Sequence, residues 1–221
     1  SAVFLVCVFQ RLAGRLLTRE KDKWLNLQDL LLRLHGCDKS ESALGVGIVS
    51  LYIALLEYME PPALSELRQQ GKMLPQLLNK TMLHGDFFDF SNPVNQQTQK
   101  YDLIIGNPPW LSRQGEDRDK KADSWVGADR FTFPNISPTW GFIWKSTLLL
   151  KEEGIIAFLI NASHLFSTKA RKGMQQLYTD FSVCMIANFA DACFQLFDGA
   201  SAPAALLVYG KRKKQTDAQS N

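Results

Sequence analysis

Tyr101-Asp102-Leu103-Ile104-Ile105-Gly106-Asn107-Pro108-Pro109-Trp110 is the stretch on which the reading of the chain turns. The apolar run Leu103 to Ile105 predicts a short buried strand. It ends in a tip made of one amide, two prolines and a large aromatic. Open α/β sheets bind ligands at the carboxyl ends of their strands, so a tip of this kind is placed for chemistry.

Working outward, strand and helix signals alternate. Phe4 to Leu17 predicts a helix, and the polar stretch Thr18 to Lys23 closes it. Leu32 to Cys37 predicts a strand that delivers Asp38. Ser40 is the candidate N-cap of a second helix, which runs through Leu56 until Pro61-Pro62. Thr81 to His84 predicts a strand that ends in Gly85-Asp86-Phe87-Phe88. Beyond the tip, Leu111 to Pro138 is a long connection in which Arg113, Arg118, Lys120, Lys121 and Arg130 alternate with Trp125, Phe131 and Phe133. A helix follows from Thr139 to Leu150, then a turn at Glu152-Glu153-Gly154 and a strand from Ile155 to Ile160. A further helix, Ser167 to Tyr178, has Gly173 as an imperfection, and strands are expected at Val183 to Phe189 and Ala204 to Tyr209. This alternation argues an α/β fold: a largely parallel sheet with helices on both faces.

The composition is that of an ordinary globular protein, with 221 residues, 46% hydrophobic and 21% charged. That length predicts one domain over residues 1–210, followed by a polar basic tail over 211–221. A net charge of +3 neither requires nor opposes a nucleic-acid partner. Cys7, Cys37, Cys184 and Cys193 form no C-x-x-C pair, and His35, His84 and His164 are scattered, so no metal site is expected. Buried thiols in a reducing cytoplasm are the plain expectation. No apolar run reaches the length of a membrane span, and no membrane partner is expected.

The tip has a direct mechanical reading. Pro108 and Pro109 lack N–H groups and fix their own φ angles, so they hold carbonyls without competing donors. The Asn107 side-chain oxygen and the Pro108 carbonyl would be two acceptors converging on an exocyclic amine. Trp110 would stack on the face of a base, and Phe197 or Phe194 would form the opposite wall. The alternative is a strand-ending turn with Trp110 capping the core. Asp38 and Asp86 each follow a short strand; Asp38 would accept bonds from ribose hydroxyls and Asp86 from an adenine amino group, with Phe87 over the ring or giving its backbone N–H, and a turn or helix-capping role is the alternative for either acid. The charged and aromatic connection after the tip fits either a strand-gripping loop or a solvated one.

On these residues the chain resembles the amino-group DNA methyltransferases that use S-adenosylmethionine, in particular the adenine-N6 branch of bacterial restriction–modification enzymes. Asn107-Pro108-Pro109-Trp110 carries the resemblance most strongly. Asp38, Gly85-Asp86-Phe87-Phe88, the Ile155–Ile160 strand and Leu196-Phe197-Asp198-Gly199-Ala200-Ser201-Ala202-Pro203 follow in the order such enzymes show. The resemblance implies a Rossmann-like methyltransferase fold whose last strand is antiparallel. It further implies methyl transfer from S-adenosylmethionine to a flipped adenine of double-stranded DNA in a bacterial cytoplasm. By it, Asn107, Pro108, Pro109 and Trp110 are catalytic, Trp110 and Phe197 stack on the target base, and Asp38, Asp86, Phe87, Ser1 and Ala2 bind the cofactor. The family's first strand and most of its glycine-rich loop are expected to be missing, Ser1-Ala2-Val3-Phe4-Leu5 matching only the end of that loop. The chain is therefore expected to be a piece of a larger enzyme, working with a separate target-recognition domain or subunit. Enzymes with similar tips that methylate RNA guanine-N2 or a protein glutamine, and a non-catalytic nucleic-acid-binding module, are the competing expectations.

Overall fold

The computed structural model describes residues 2–17, 23–59, 65, 68–69, 74–89, 100–110, 125, 128–134, 137–192 and 203–212. The chain divides into two compact units, Ser1–Gln97 and Thr98–Asn221.

In the first unit, three helices bury one face each. α1 (Val3–Leu17) brings Phe9 and Ala13 inward, flanked by Leu5, Val6 and Leu16, the three-and-four spacing of an amphipathic helix. α2 (Lys23–Leu32) contributes Leu27, Leu30 and Leu31, and α3 (Glu41–Leu56) contributes Leu44, Leu51, Ala54 and Leu55. Two short parallel strands, β1 (Gly36–Asp38) and β2 (Met82–His84), pair with Asp38 opposite His84. The strand expected from Leu32 is thus a correction: Leu30, Leu31 and Leu32 belong to α2, and only the last residues before Asp38 are extended. An apolar run of this length fits a buried helix end as well as a strand, and burial of Leu27, Leu30, Leu31 and Leu34 at helical spacing decides for the helix. Ser40 caps α3 as expected, its hydroxyl accepting from the Ala43 N–H at 3.2 Å.

The second unit is a four-stranded sheet in the order β3 (Tyr101–Gly106), β4 (Leu150–Asn161), β6 (Ala204–Lys211), β5 (Phe181–Asn188). β3 and β4 are parallel; β6 is antiparallel to both of its neighbours. The antiparallel last strand is therefore as expected. The expected turn at Glu152-Glu153-Gly154 is taken up inside β4 instead: β3 advances from Tyr101 to Leu103 while its partner on β4 jumps from Leu150 to Ile155. Lys211, expected in the tail, is the last residue of β6, and its ammonium pairs with Glu152 at 2.8 Å.

α4 (Pro138–Leu148) supplies the centre of this unit's core with Trp140, Ile143 and Trp144, all fully buried. It lies with Ile156, Phe158, Ile160, Leu207 and Tyr209 in the interior, and the Tyr209 hydroxyl donates to the Ile143 carbonyl at 2.6 Å. Burial raises the Tyr209 hydroxyl's pKa well above its ordinary value. Trp125 and Phe131, two rings of the connection for which a strand-gripping loop and a solvated one are both expected, are core residues instead: Phe131 stacks on Trp125 at 6.1 Å and on Trp144 at 5.0 Å. Their apolar faces are better satisfied by that indole than by solvent. Cys7 and Cys184 are exposed and Cys37 is half-buried, against the expectation of buried thiols.

A short helix, α5 (Ser163–Phe166), and α6 (Arg171–Asp180) follow β4. Gly173 is no imperfection of α6. A Cβ there would sit 2.6 Å from Pro134 Cγ and 2.9 Å from the Trp140 ring. Gly173→Ala gains helix propensity of about 1 kcal/mol at most, yet overpacking against those two rings costs about 1–3 kcal/mol. A lowered melting temperature is therefore expected in a thermal scan; a raised one would show that helix α6 can shift outward freely.

Candidate active site

The tip leaves β3 at Gly106, the residue paired with Phe158 of β4. A Cβ on Gly106 would meet the Phe158 ring at 3.3 Å, so the small residue lets the turn start close to the sheet. Asn107 and Pro109 are exposed, Pro108 is buried and Trp110 is half-buried. The Trp110 indole N–H donates to Asn107 Oδ1 at 2.8 Å and lies 3.4 Å from the Leu159 carbonyl. An indole N–H is a donor only, so it can face the oxygen of the amide and not its NH2 group. The oxygen keeps a second lone pair for another donor. The Pro109 carbonyl accepts from the Thr139 hydroxyl at 3.0 Å, which ties the tip to the first turn of α4. Among the described residues, the Pro108 carbonyl accepts no hydrogen bond. Two acceptors thus stand at the end of β3, one oriented by an aromatic donor and one on a rigid proline.

In the first unit, parallel pairing of β1 and β2 brings Asp38 and Asp86 to the same end of the two strands. The Gly85 N–H donates to the Asp38 carbonyl at 2.9 Å, and Gly85, at a φ of 151°, carries the chain from β2 toward Asp86. Asp38 Oδ1 accepts from the Ser40 N–H at 2.9 Å, which fixes the carboxylate beside the start of α3. Asp86 takes the Phe88 N–H on Oδ1 at 2.8 Å and the Lys39 ammonium on Oδ2 at 2.8 Å. Carboxylates placed in this way accept from hydroxyl and amino groups. That acceptor chemistry fits a nucleoside. Phe87 is half-buried with its ring edge-on to Phe88 at 5.4 Å. Ala2 directly precedes α1 and packs on α3, where a Cβ at Gly47 would meet it at 2.9 Å. Ser1, Phe194 and Phe197 lie outside the described residues.

Sequence reasoning missed two residues of these sites. Lys39 pairs with Asp86, and its only signal was its place directly after Asp38. Thr139 holds Pro109, and it showed only as the first residue after the helix-opening Pro138. No group of three or more His, Cys, Asp or Glu side chains is arranged to hold a metal ion among the described residues.

Beside the tip's anchor, His164 is buried, with Nε2 3.4 Å from the Ser137 hydroxyl, and the His164 carbonyl accepts from the Trp140 indole at 3.2 Å. Desolvation lowers its pKa from the ordinary 6.5, as it does for His35 in the first unit.

The sequence matches the family model of the Eco57I restriction-modification methylases over residues 33–197, well over half of the chain. The chain belongs to that family. No curated protein sequence matches it significantly. Among solved structures, it is similar to one assigned as a class I S-adenosylmethionine-dependent methyltransferase from Listeria monocytogenes, with 15% identity and a TM-score of 0.53 over 90% of this chain and 53% of that one. The type I restriction enzyme EcoKI M protein matches with 11% identity and a TM-score of 0.49 over 83% of this chain and 43% of that one. A type I restriction-modification methyltransferase subunit from Streptococcus thermophilus matches with 16% identity and a TM-score of 0.45 over 85% of this chain and 44% of that one. The chain thus spans about half the length of the structures it resembles. The fold is the Rossmann-like fold of class I methyltransferases.

Two outcomes follow from this geometry. Desolvation keeps His164 neutral in the folded chain to a lower pH than in the unfolded chain, which takes up a proton there below about pH 6.5. Stability is therefore full above that pH and falls as pH drops from it toward the folded pKa. A melting series from about pH 7.5 to about 5.5 should decline, less steeply in His164→Gln, with His35 responsible for part of what remains. For the tip, the Trp110 indole proton, identified by its loss in Trp110→Phe, should exchange with solvent at least about fivefold more slowly than in the unfolded chain, as a hydrogen bond of roughly 1 kcal/mol requires. Unprotected exchange would count against the Asn107 contact.

Proposed function

We propose that this chain is catalytic machinery of a DNA adenine-N6 methyltransferase of the restriction–modification type. The observation that carries this reading is the rigid tip at the carboxyl end of β3, in a chain that belongs to a methylase family. Asn107 Oδ1 and the Pro108 carbonyl receive the two protons of the exocyclic amine of a flipped adenine, and that geometry turns the nitrogen lone pair toward the methyl donor. Trp110 lies against the base, with Phe197 as the second wall; Pro109 keeps the turn stiff.

S-adenosylmethionine, the group named for the Listeria monocytogenes structure, would supply a sulfonium-bound methyl group of high intrinsic reactivity. Asp38 would accept from its ribose hydroxyls and Asp86 from its adenine amine, with Phe87 at the ring; the paired strand ends carry the acceptors this requires. Ser1 and Ala2 would meet the methionine part. No general acid or base of strongly shifted pKa is needed, because positioning two reactants carries most of the catalysis.

Residues 1–210 act together as the catalytic domain in this reading, and the family match runs through both compact units. Lys211 belongs to β6, and the polar, basic sequence after it is read as a tail. Double-stranded DNA is the substrate, and a separate target-recognition domain or subunit selects the site. No helix among the described residues is long and apolar enough to cross a membrane, and a bacterial cytoplasm, where the DNA is, is the proposed location.

Incubation with tritiated S-adenosylmethionine and unmethylated bacterial DNA, structured RNA, or a glutamine-bearing protein acceptor tests the substrate class. Label in the DNA, released as N6-methyladenine on hydrolysis, is the expected result; label confined to RNA or protein overturns it. Asn107→Ala should lower methyl transfer by about a hundredfold to a thousandfold, since it removes one of the two amine acceptors, while calorimetry shows cofactor affinity within about threefold. Turnover close to that of the parent would refute the role given to Asn107.

A further inference from the structure

We infer that Thr139 is a positioning residue for the reaction at the Asn107–Trp110 tip, acting through the Pro109 carbonyl; the inference rests on the reading of the tip given under Proposed function.

The two prolines have fixed φ angles, so the direction of their carbonyls is set by the ψ angles of Pro108 and Pro109 alone. One donor on the Pro109 carbonyl removes most of that freedom. Thr139 provides it: its hydroxyl lies 3.0 Å from the oxygen, and the residue is fully buried. It follows Pro138 in the first turn of α4, and the next residue, Trp140, is wholly in the core. The donor therefore stands on a helix most of whose residues are buried. Pro109 is itself exposed, so packing alone does not hold it. At the other end of the tip, the Trp110 N–H orients Asn107 Oδ1 at 2.8 Å. One bond links Asn107 to Trp110 across the tip and the other holds Pro109, and the Pro108 carbonyl takes its direction from both. A hydroxyl that never touches the base thus sets where one of the two amine acceptors points.

Thr139→Val keeps the branched shape and deletes the donor; Thr139→Ser keeps the donor and deletes a methyl group. In the full chain, methyl transfer to unmethylated bacterial DNA is measured with both, together with cofactor KM and melting temperature. Thr139→Val should lower kcat roughly tenfold to a hundredfold, the range expected when a reacting group is displaced by under an ångström or so, with cofactor KM within about twofold and Thr139→Ser restoring most of the parental rate. A kcat for Thr139→Val within about twofold of the parent, or Thr139→Ser as slow as Thr139→Val, overturns the assignment. If the parent methylates no DNA, the functional reading has failed, and the Asn107 side-chain amide signal of 15N-asparagine-labelled protein decides instead. That signal should move in Thr139→Val and return in Thr139→Ser, and an unmoved signal overturns the assignment.

Discussion

Trp144 sets a large ring and a single N–H donor in the middle of the carboxyl-terminal unit, and both demand a partner once water is gone. The ring has Phe131 stacked on it at 5.0 Å and Trp140 tilted against it at 5.3 Å; the donor goes to the Thr132 carbonyl at 2.8 Å. Those contacts draw residues of the connection after the tip onto the face of α4. They also fix the rotation of α4 about its own axis. With that rotation set, Trp140 reaches the His164 carbonyl, Tyr209 reaches the Ile143 carbonyl, and Thr139 meets Pro109. Truncating a ring in such a position typically costs about 3–5 kcal/mol, which is why so much of the local geometry follows from it.

Much of this architecture was legible in the sequence because it rests on local rules. Ser40 was visible as a cap because a hydroxyl before a helix has few other uses, and the strand into Asn107 was visible because an apolar run ended in residues that cannot continue it. The antiparallel β6 came from the resemblance and not from any local signal. The failures share a physical cause. Leu30 to Cys37 holds both a helix end and a strand, and only the burial of Leu27, Leu30 and Leu31 among distant residues settles where one stops. Trp125 and Phe131 sit among basic residues in sequence, yet in space they sit on Trp144; charge neighbours along a chain say little about what a ring packs on. Gly173 looks like a weakness in a helix from its neighbours in sequence and is instead the space into which Trp140 fits.

The candidate site was legible in its acceptors and not in its supports. Asn107, Pro108 and Trp110 could be named from residue chemistry, as could Asp38 and Asp86 from their places after strands. Lys39 and Thr139 could not, because their roles depend on a pairing between strands and on a helix turn brought against an exposed carbonyl. Asp86 illustrates the difference: with a lysine on one oxygen and a backbone N–H on the other, it is a held carboxylate and not a loose one. Its orientation is settled before any ligand arrives.

The bond from Thr139 to Pro109 also bears on heat. Loops that carry chemistry usually open at low free energy, well before the fold around them. This tip has its carbonyl fastened to the first turn of a helix whose next residue is wholly enclosed, so its opening is coupled to that helix. Warming should leave the acceptors in place until α4 itself comes loose, and the working shape of the tip is then lost in the same transition as the core.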